Sequence, residues 1–471
     1  MMVARDLAIR LLTMAGGLVL AIILGPAAFG VWAVGLGLVA ALQAVTRSGL
    51  GASLLRRAEV PTQDELNALF TFQICVGVAA AATGLALAFA LLPALGTRAH
   101  EAQAVCLALL ALPISSPRVA PACVLERELQ YLPLSIMDVS EQLALYVVAV
   151  SLAALGAGIW SLAPAACASA AAGVAAGLAV SPVRARPTRR LGVLRRIWRF
   201  GATFQLSESL YAVRDGGINL LLLTFAGSHV TGVWALAQRL LVAPVVLFQT
   251  VGRVGFVAFS KVATREEDER QAQRVLAITA LAAAALLATV VGSAPALVGG
   301  VLGHEWDGVV LPVTLAAVGW MVLGPLWVAL WGLVQARGDL RGPLVGGAVQ
   351  LAVLWTAAVI LAPRFGAAAI GAAFLCALLV TGALLYVNSR RFVRIRLTSL
   401  VLAGAIGTAA AAAGRAVAEQ MPTLTGLPLA VGAALAVWLV LVVAFMPRDL
   451  QRLASETGVA RLLRWRGSAQ P

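Results

Sequence analysis

The sequence predicts an all-α polytopic membrane protein. Three observations carry that expectation: a composition too apolar for water, apolar runs of bilayer length, and a one-sided distribution of positive charge. Of 471 residues, 61% are hydrophobic and 12% charged, about half the charged fraction of an ordinary soluble chain. A soluble globular protein is excluded. If one span takes roughly 20 to 23 residues, fourteen spans would occupy about 300 residues, close to the hydrophobic share.

In chain order the apolar runs fall at about 6–25, 29–51, 67–92, 102–124, 136–156, 159–181, 201–225, 230–256, 275–301, 308–334, 343–362, 367–389, 398–418 and 425–446. The first run is followed by Gly25-Pro26 rather than by a polar stretch with a small-residue cleavage site, so it reads as an uncleaved first span. The segment from Arg265 to Arg270 reads as a solvated mixed-charge connection. The expected division is an N-lobe at 1–183, a basic cytoplasmic linker at 184–200, a C-lobe at 201–392, and a final pair of helices with a basic tail at 393–471.

Charge orients these runs. With both termini on one side, alternate connections on that side hold 27 of the 35 cations, including seven arginines from Arg184 to Arg199, while the other side holds only Arg98, Arg364 and Arg415. By the positive-inside rule the first side is cytoplasmic. The net charge of +14 is therefore matched to anionic membrane lipids rather than to nucleic acid. The five cysteines lie in apolar runs with no C-x-x-C pair, so neither a disulfide framework, a metal site nor a cofactor is expected.

The chain also repeats itself. Gly30-Val31-Trp32-Ala33 returns as Gly232-Val233-Trp234-Ala235, an offset of 202, and Gln43-Ala44-Val45-Thr46-Arg47-Ser48-Gly49-Leu50 is echoed by Gln249-Thr250-Val251-Gly252-Arg253-Val254-Gly255-Phe256, an offset of 206. The two offsets differ by about one helical turn, which keeps the faces in phase. Spans one and two thus correspond to spans seven and eight. Six spans separate the copies, an even number, so both run the same way through the bilayer. A parallel repeat of this kind places a substrate path between two lobes.

Polar residues within spans mark the candidate path, because a charge near the bilayer centre costs roughly 2.5 to 3.5 kcal/mol and usually faces a cavity or a partner. Arg214 and Asp215 lie roughly 17 Å from the outer end of span seven, near the midplane. Arg47 and Arg253 are near the inner mouth, where they either snorkel or clamp a diphosphate as a pseudo-equivalent pair, with Gln43 and Gln249 one turn away. Arg239, one turn inside the outer face, either meets substrate or reaches outer headgroups. Arg118 sits on a span with Pro113, Pro117 and Pro121. Each proline frees a backbone carbonyl, so that helix is bent or broken and serves as a gate or as a kinked packing element. Asp138, Glu141 and Glu208 are expected to pair with the arginine-rich loops, and Trp32, Trp160 and Trp234 to anchor in the membrane interface.

No Walker A sequence and no long external loop of clustered carboxylates is present. Both absences point to transport, not catalysis.

The run Leu24-Gly25-Pro26-Ala27-Ala28-Phe29-Gly30-Val31-Trp32-Ala33 with Gly49-Leu50-Gly51-Ala52 resembles the polysaccharide transporter, or O-antigen flippase, family of the multidrug/oligosaccharidyl-lipid/polysaccharide (MOP) exporter superfamily. The likeness continues through Leu125 to Tyr131, Gly156 to Leu162 and Trp234 to Arg239, and spans at least residues 20–260. Glu126 and Glu128 depart from the more basic run of the family. The resemblance implies a two-lobed bundle of about fourteen helices that flips undecaprenyl-diphosphate-linked oligosaccharide across the bacterial inner membrane by alternating access. It further implies that Arg47, Arg214 and Arg253 meet the diphosphate, and that a polysaccharide polymerase and glycosyltransferases act alongside. Two other functions compete. One is a cation-coupled drug or metabolite exporter of the same superfamily, with Asp215 as coupling carboxylate; the other is a membrane glycosyltransferase or polymerase.

Overall fold

The computed structural model describes residues 2–46, 61–94, 98–181, 185–189, 192, 216–242, 244–245, 265–336 and 341–447. Among them all regular structure is helical. Ten stretches are long and apolar enough to cross a bilayer, with Val345–Ile360 as a shorter apolar helix. Some of the ten hold two expected spans each: Ile9–Ala44 takes in most of the run at 6–25 and the run at 29–51 as far as Ala44, and Tyr131–Val180 takes in those at 136–156 and 159–181 as far as Val180.

Glycines turn the chain within and between several of these stretches. The positive-φ glycines are Gly25, Gly156, Gly158, Gly227, Gly303 and Gly366 among the described residues, and each lies at a connection that charge counting assigns to the outer side. At Gly25 (φ 70°) and Gly227 (φ 86°) a side chain would be strained, because the left-handed region penalises a Cβ.

The chain forms two compact units, residues 1–239 with 362–364, and residues 240–361 with 365–471. The first contains α1 (Met2–Thr46, broken at Gly25), α2 (Gln63–Ala94), α3 (Ala99–Arg127), α4 (Tyr131–Leu152), α5 (Leu162–Val180) and most of α6 (Gly216–Val242). As its prolines require, α3 is broken, into Ala99–Ala108, Ala111–Ser115, a 3-10 turn Ser116–Arg118 and Val119–Arg127. The described part of the expected linker is strapped to α2. The Arg186 N–H donates to Asn67 Oδ1 at 2.8 Å and the Thr188 N–H to Thr71 Oγ1 at 2.8 Å.

The repeat becomes a physical contact in α1 and α6. A Cβ on Gly30 would run into the carbonyl oxygen of Ser228, and one on Gly232 into that of Pro26. Gly30 and Gly232 are equivalent at the offset of 202, as are Pro26 and Ser228. The contact is therefore reciprocal, the signature of a two-fold relation in which each copy presents the same patch. Small residues let the two backbones approach this closely. Helix α6 belongs to the first unit as far as Arg239.

The crossing also corrects the reading of two tryptophans. Trp32 and Trp234 are fully or almost fully buried, at 0% and 2% exposure, so they pack in the core and do not anchor in headgroups. The glycine contact beside them pulls both rings inward. Trp160 remains partly exposed.

The second unit is built on α7 (Arg265–Leu297), which packs against α8 (Val310–Ala336), α11 (Thr398–Gln420) and α12 (Gly426–Phe445), while α10 (Ala367–Ser389) joins α8 to α9 (Arg341–Ile360). A seam of small residues holds α7 to α11. A Cβ on Gly292 would lie 3.1 Å from the Gly414 Cα, and one on Gly407 3.2 Å from the Ala284 Cα. The C-terminal helix pair is thus part of this unit's core on one side, while Leu435, Leu439, Val440 and Val443 of α12 stay exposed, as lipid-facing residues do. The charged segment Arg265–Arg270 is helical, with Arg265, Glu266, Glu267 and Arg270 exposed. It forms the first turns of α7, with Asp268 buried.

Candidate functional site

Of the candidate path residues, Arg118, Arg239 and Gln43 are described, all in the first unit. Arg47, Arg214, Asp215, Gln249 and Arg253 lie outside the described residues, as does Glu208.

Arg118 stands in the 3-10 turn of α3. Its Nη2 pairs with Asp138 Oδ1 on α4, and its Nε lies 3.4 Å from Glu141 Oε2, one turn further on. The three side chains retain 15%, 26% and 14% of their exposure. Local structure explains the meeting. Pro117 and Pro121 interrupt the α-helical ladder and re-aim Arg118, while Asp138 and Glu141, three apart, share one face of α4. Gly173 of α5 leaves the room, since a Cβ there would sit 3.2 Å from Glu141 Oε2 and 3.4 Å from Arg118 Cδ. Arg118 is therefore paired with two carboxylates of α4. This pairing moves Asp138 and Glu141 from the arginine-rich loops to an interhelical cluster.

Next to that turn, Gln43 Nε2 donates to Ser115 Oγ at 3.4 Å, and Ser115 Oγ donates to the Leu112 carbonyl at 3.0 Å. Ser116 Oγ donates to the same carbonyl at 2.8 Å. The two hydroxyls cap an oxygen close to the helix break, as expected where prolines interrupt a membrane helix. Gln43 therefore connects α1 to the broken segment of α3.

Arg239 is different. No carboxylate lies within ion-pair distance of it among the described residues. Its guanidinium carbon sits 5.0 Å from the Phe29 ring centroid and 5.2 Å from that of Trp32, and Nη1 donates to Tyr146 Oη at 3.4 Å. The aromatic faces offer their negative quadrupole to the cation. Gly17 makes space for the guanidinium, because a Cβ there would overlap Nη1. The repeat shows how this site arose. At the offset of 202, Gly17 corresponds to Asn219 and Arg239 to Gly37, and Asn219 faces Gly37 across the same crossing. Each copy fits one polar side chain against one glycine, and only one of the two carries charge. Tyr146, Phe29 and Gly17 were not singled out in the sequence; comparison of Gly17 and Gly37 at the repeat offset was the available signal.

An all-helical bundle of apolar spans defines a multi-pass membrane protein, and comparison with solved structures places its fold. The fold is similar to that of the lipid II flippase MurJ in an inward closed conformation, with a TM-score of 0.77 at 10% identity over 95% of this chain and 99% of that one. It is also similar to an inward-facing multidrug resistance MATE family transporter of the MOP superfamily (TM-score 0.58, 15% identity, 84% and 94% covered) and to the MATE multidrug transporter DinF-BH (0.52, 18%, 84% and 94%). The fold is thus similar to that of these flippases and transporters. Residues 19–311 match the family described as polysaccharide biosynthesis protein, and the chain belongs to that family. No curated protein matches it by sequence.

Proposed function

We propose that the protein flips an undecaprenyl-diphosphate-linked oligosaccharide, a precursor of a surface polysaccharide, across the bacterial inner membrane by alternating access, with both termini in the cytoplasm. The observation that carries the reading is Arg239, a cation half-buried among aromatic rings with no described carboxylate partner. A planar guanidinium recognises a diphosphate through paired N–H donors, and the surrounding rings reduce the cost of holding that charge while the site is empty. The family and the flippase-like fold support a lipid-linked substrate. In this reading Arg47, Arg214 and Arg253 hand the diphosphate along the path, with Gln43, Gln249 and Asp215 beside them, and Arg118 maintains the broken helix α3 instead of binding the anion. Glycosyltransferases and a polymerase would supply and consume the substrate.

The test is complementation of a strain lacking the gene. Arg239→Ala and Arg214→Ala are each expected to abolish surface polysaccharide at unchanged protein level, with lipid-linked precursor accumulating inside. Normal polysaccharide from both variants would overturn the site.

A second reading, a cation-coupled exporter with Asp215 as the coupling group, is favoured by the likeness to MATE transporters. It requires gradient-driven efflux of a cationic dye by reconstituted protein, unaffected by lipid-linked sugar.

A further inference from the structure

At the end of α10, Arg390, Arg391, Arg394 and Arg396 follow one another within a single connection. Its backbone is tied down. The Arg394 N–H donates to Glu269 Oε1 at 2.9 Å, the Arg396 N–H donates to Gln273 Oε1 at 2.8 Å, and Gln273 Nε2 donates back to the Arg396 carbonyl at 3.0 Å. Glu269, which also faces Arg265 Nε at 3.4 Å, is thus engaged by a backbone amide and by another arginine. Among the described residues the guanidinium groups of Arg390 and Arg394 have no carboxylate partner. The Arg390 group lies over the Tyr386 ring, 5.1 Å from its centroid. Tyr386, Arg390, Arg394 and Ile395 border an open cavity of about 480 Å³, within the size range of small-molecule sites.

The helix face leading to this cavity is apolar and uncovered. Cys376, Leu379 and Ala383 are exposed, Leu379 at 49%, and their spacing to Tyr386 and Arg390 places all five on one stripe of α10. A pair of fixed arginines above an exposed apolar stripe is complementary to an amphiphile with an anionic head.

We propose that this cavity binds the phosphate of an anionic phospholipid, with Arg390 and Arg394 on its oxygens, Tyr386 Oη donating beside them, and an acyl chain along the Leu379–Ala383 stripe. In the orientation given by the positive-inside rule, the site opens to the cytoplasmic leaflet, where anionic lipids attract basic pockets between helices. A free phosphate shares the head chemistry but leaves the stripe unused. The proposal does not depend on which substrate the protein transports.

The experiment uses the full-length protein in mild detergent, titrated separately with phosphatidylglycerol, phosphatidylcholine and inorganic phosphate, with bound lipid read by native mass spectrometry. Wild type is expected to retain phosphatidylglycerol about thirtyfold more tightly than phosphatidylcholine, the scale set by two surface arginines. Arg390→Ala with Arg394→Ala should erase that preference, Arg390→Lys with Arg394→Lys should restore part of it, and millimolar phosphate should not displace the lipid. Equal preference in wild type and the double alanine variant, or ready displacement by phosphate, overturns the proposal. A photoactivatable phosphatidylglycerol on wild-type protein gives a readout independent of variant folding: labelling within residues 386–395 supports the site, and labelling only elsewhere refutes it.

Discussion

Arg118 and Arg239 are both arginines in apolar helices of the same unit, yet their surroundings are opposite. Arg118 meets two carboxylates, while Arg239 meets two aromatic faces and a phenol. In the first case the charge is compensated by two partly buried carboxylates, and the cluster joins α3 to α4. In the second, aromatic neighbours soften the cost of burial without cancelling the charge, the property on which the proposed diphosphate site relies. Counting cations along a chain does not separate a structural charge from one that can bind; the separation depends on what faces the charge.

The largest expected effect breaks the compensated side. Arg118→Ala leaves Asp138 and Glu141 without their counter-charge, and removal of one partner from a buried ionic cluster costs about 3–5 kcal/mol. The expected result is a large fall in the melting temperature of the purified protein. Replacing the cluster with Arg118→Met, Asp138→Leu and Glu141→Leu together should return stability close to wild type, since apolar replacement of a whole buried cluster is often neutral or better.

Arg239→Ala should show the reverse profile. Loss of the cation–π contacts costs about 0.5–2 kcal/mol, a modest change in melting temperature, whereas flipping of lipid-linked substrate in proteoliposomes is expected to fall at least about tenfold, the effect of losing a charge-assisted contact. If stability falls as far as for Arg118→Ala and flipping per folded molecule is unchanged, the contrast between the two arginines fails.

Gly17→Ala sharpens the comparison by moving the Arg239 guanidinium without removing it. A Cβ there displaces Nη1, so flipping should drop by an intermediate factor, and Arg118-dependent stability should stay intact. The smallest effect is expected for Tyr146→Phe. It deletes one long hydrogen bond of 3.4 Å, at the lower end of the roughly 0.5–1.5 kcal/mol of a typical one, and should be visible as a slight loss of substrate affinity with little change in melting temperature.

Much of the architecture was legible because it is local. Gly25, Gly227, Gly303 and Gly366 turn the chain where charge counting puts outer connections, since glycine alone accepts a left-handed backbone without strain. Pro113, Pro117 and Pro121 predict the fragmentation of α3, because a missing N–H acts on the residue's own helix. The repeat at Gly30 and Gly232 was visible as a string of letters. The candidate site was legible only as a set of polar residues. Trp32 and Trp234 carry the composition of interface anchors, but a glycine crossing some two hundred positions away in sequence buries them. Arg118 lies 20 residues from Asp138, and Arg239 lies 93 from Tyr146; neither distance corresponds to a helical period that a pattern search would register.

By itself the sequence determined that this chain lives in a bilayer and where its spans break, because hydropathy and the backbone demands of glycine and proline act residue by residue or within one turn. Only the tertiary structure decided which arginine meets carboxylates and which meets aromatic rings. Desolvation and its relief are properties of the groups that meet in space, and those groups come from different helices.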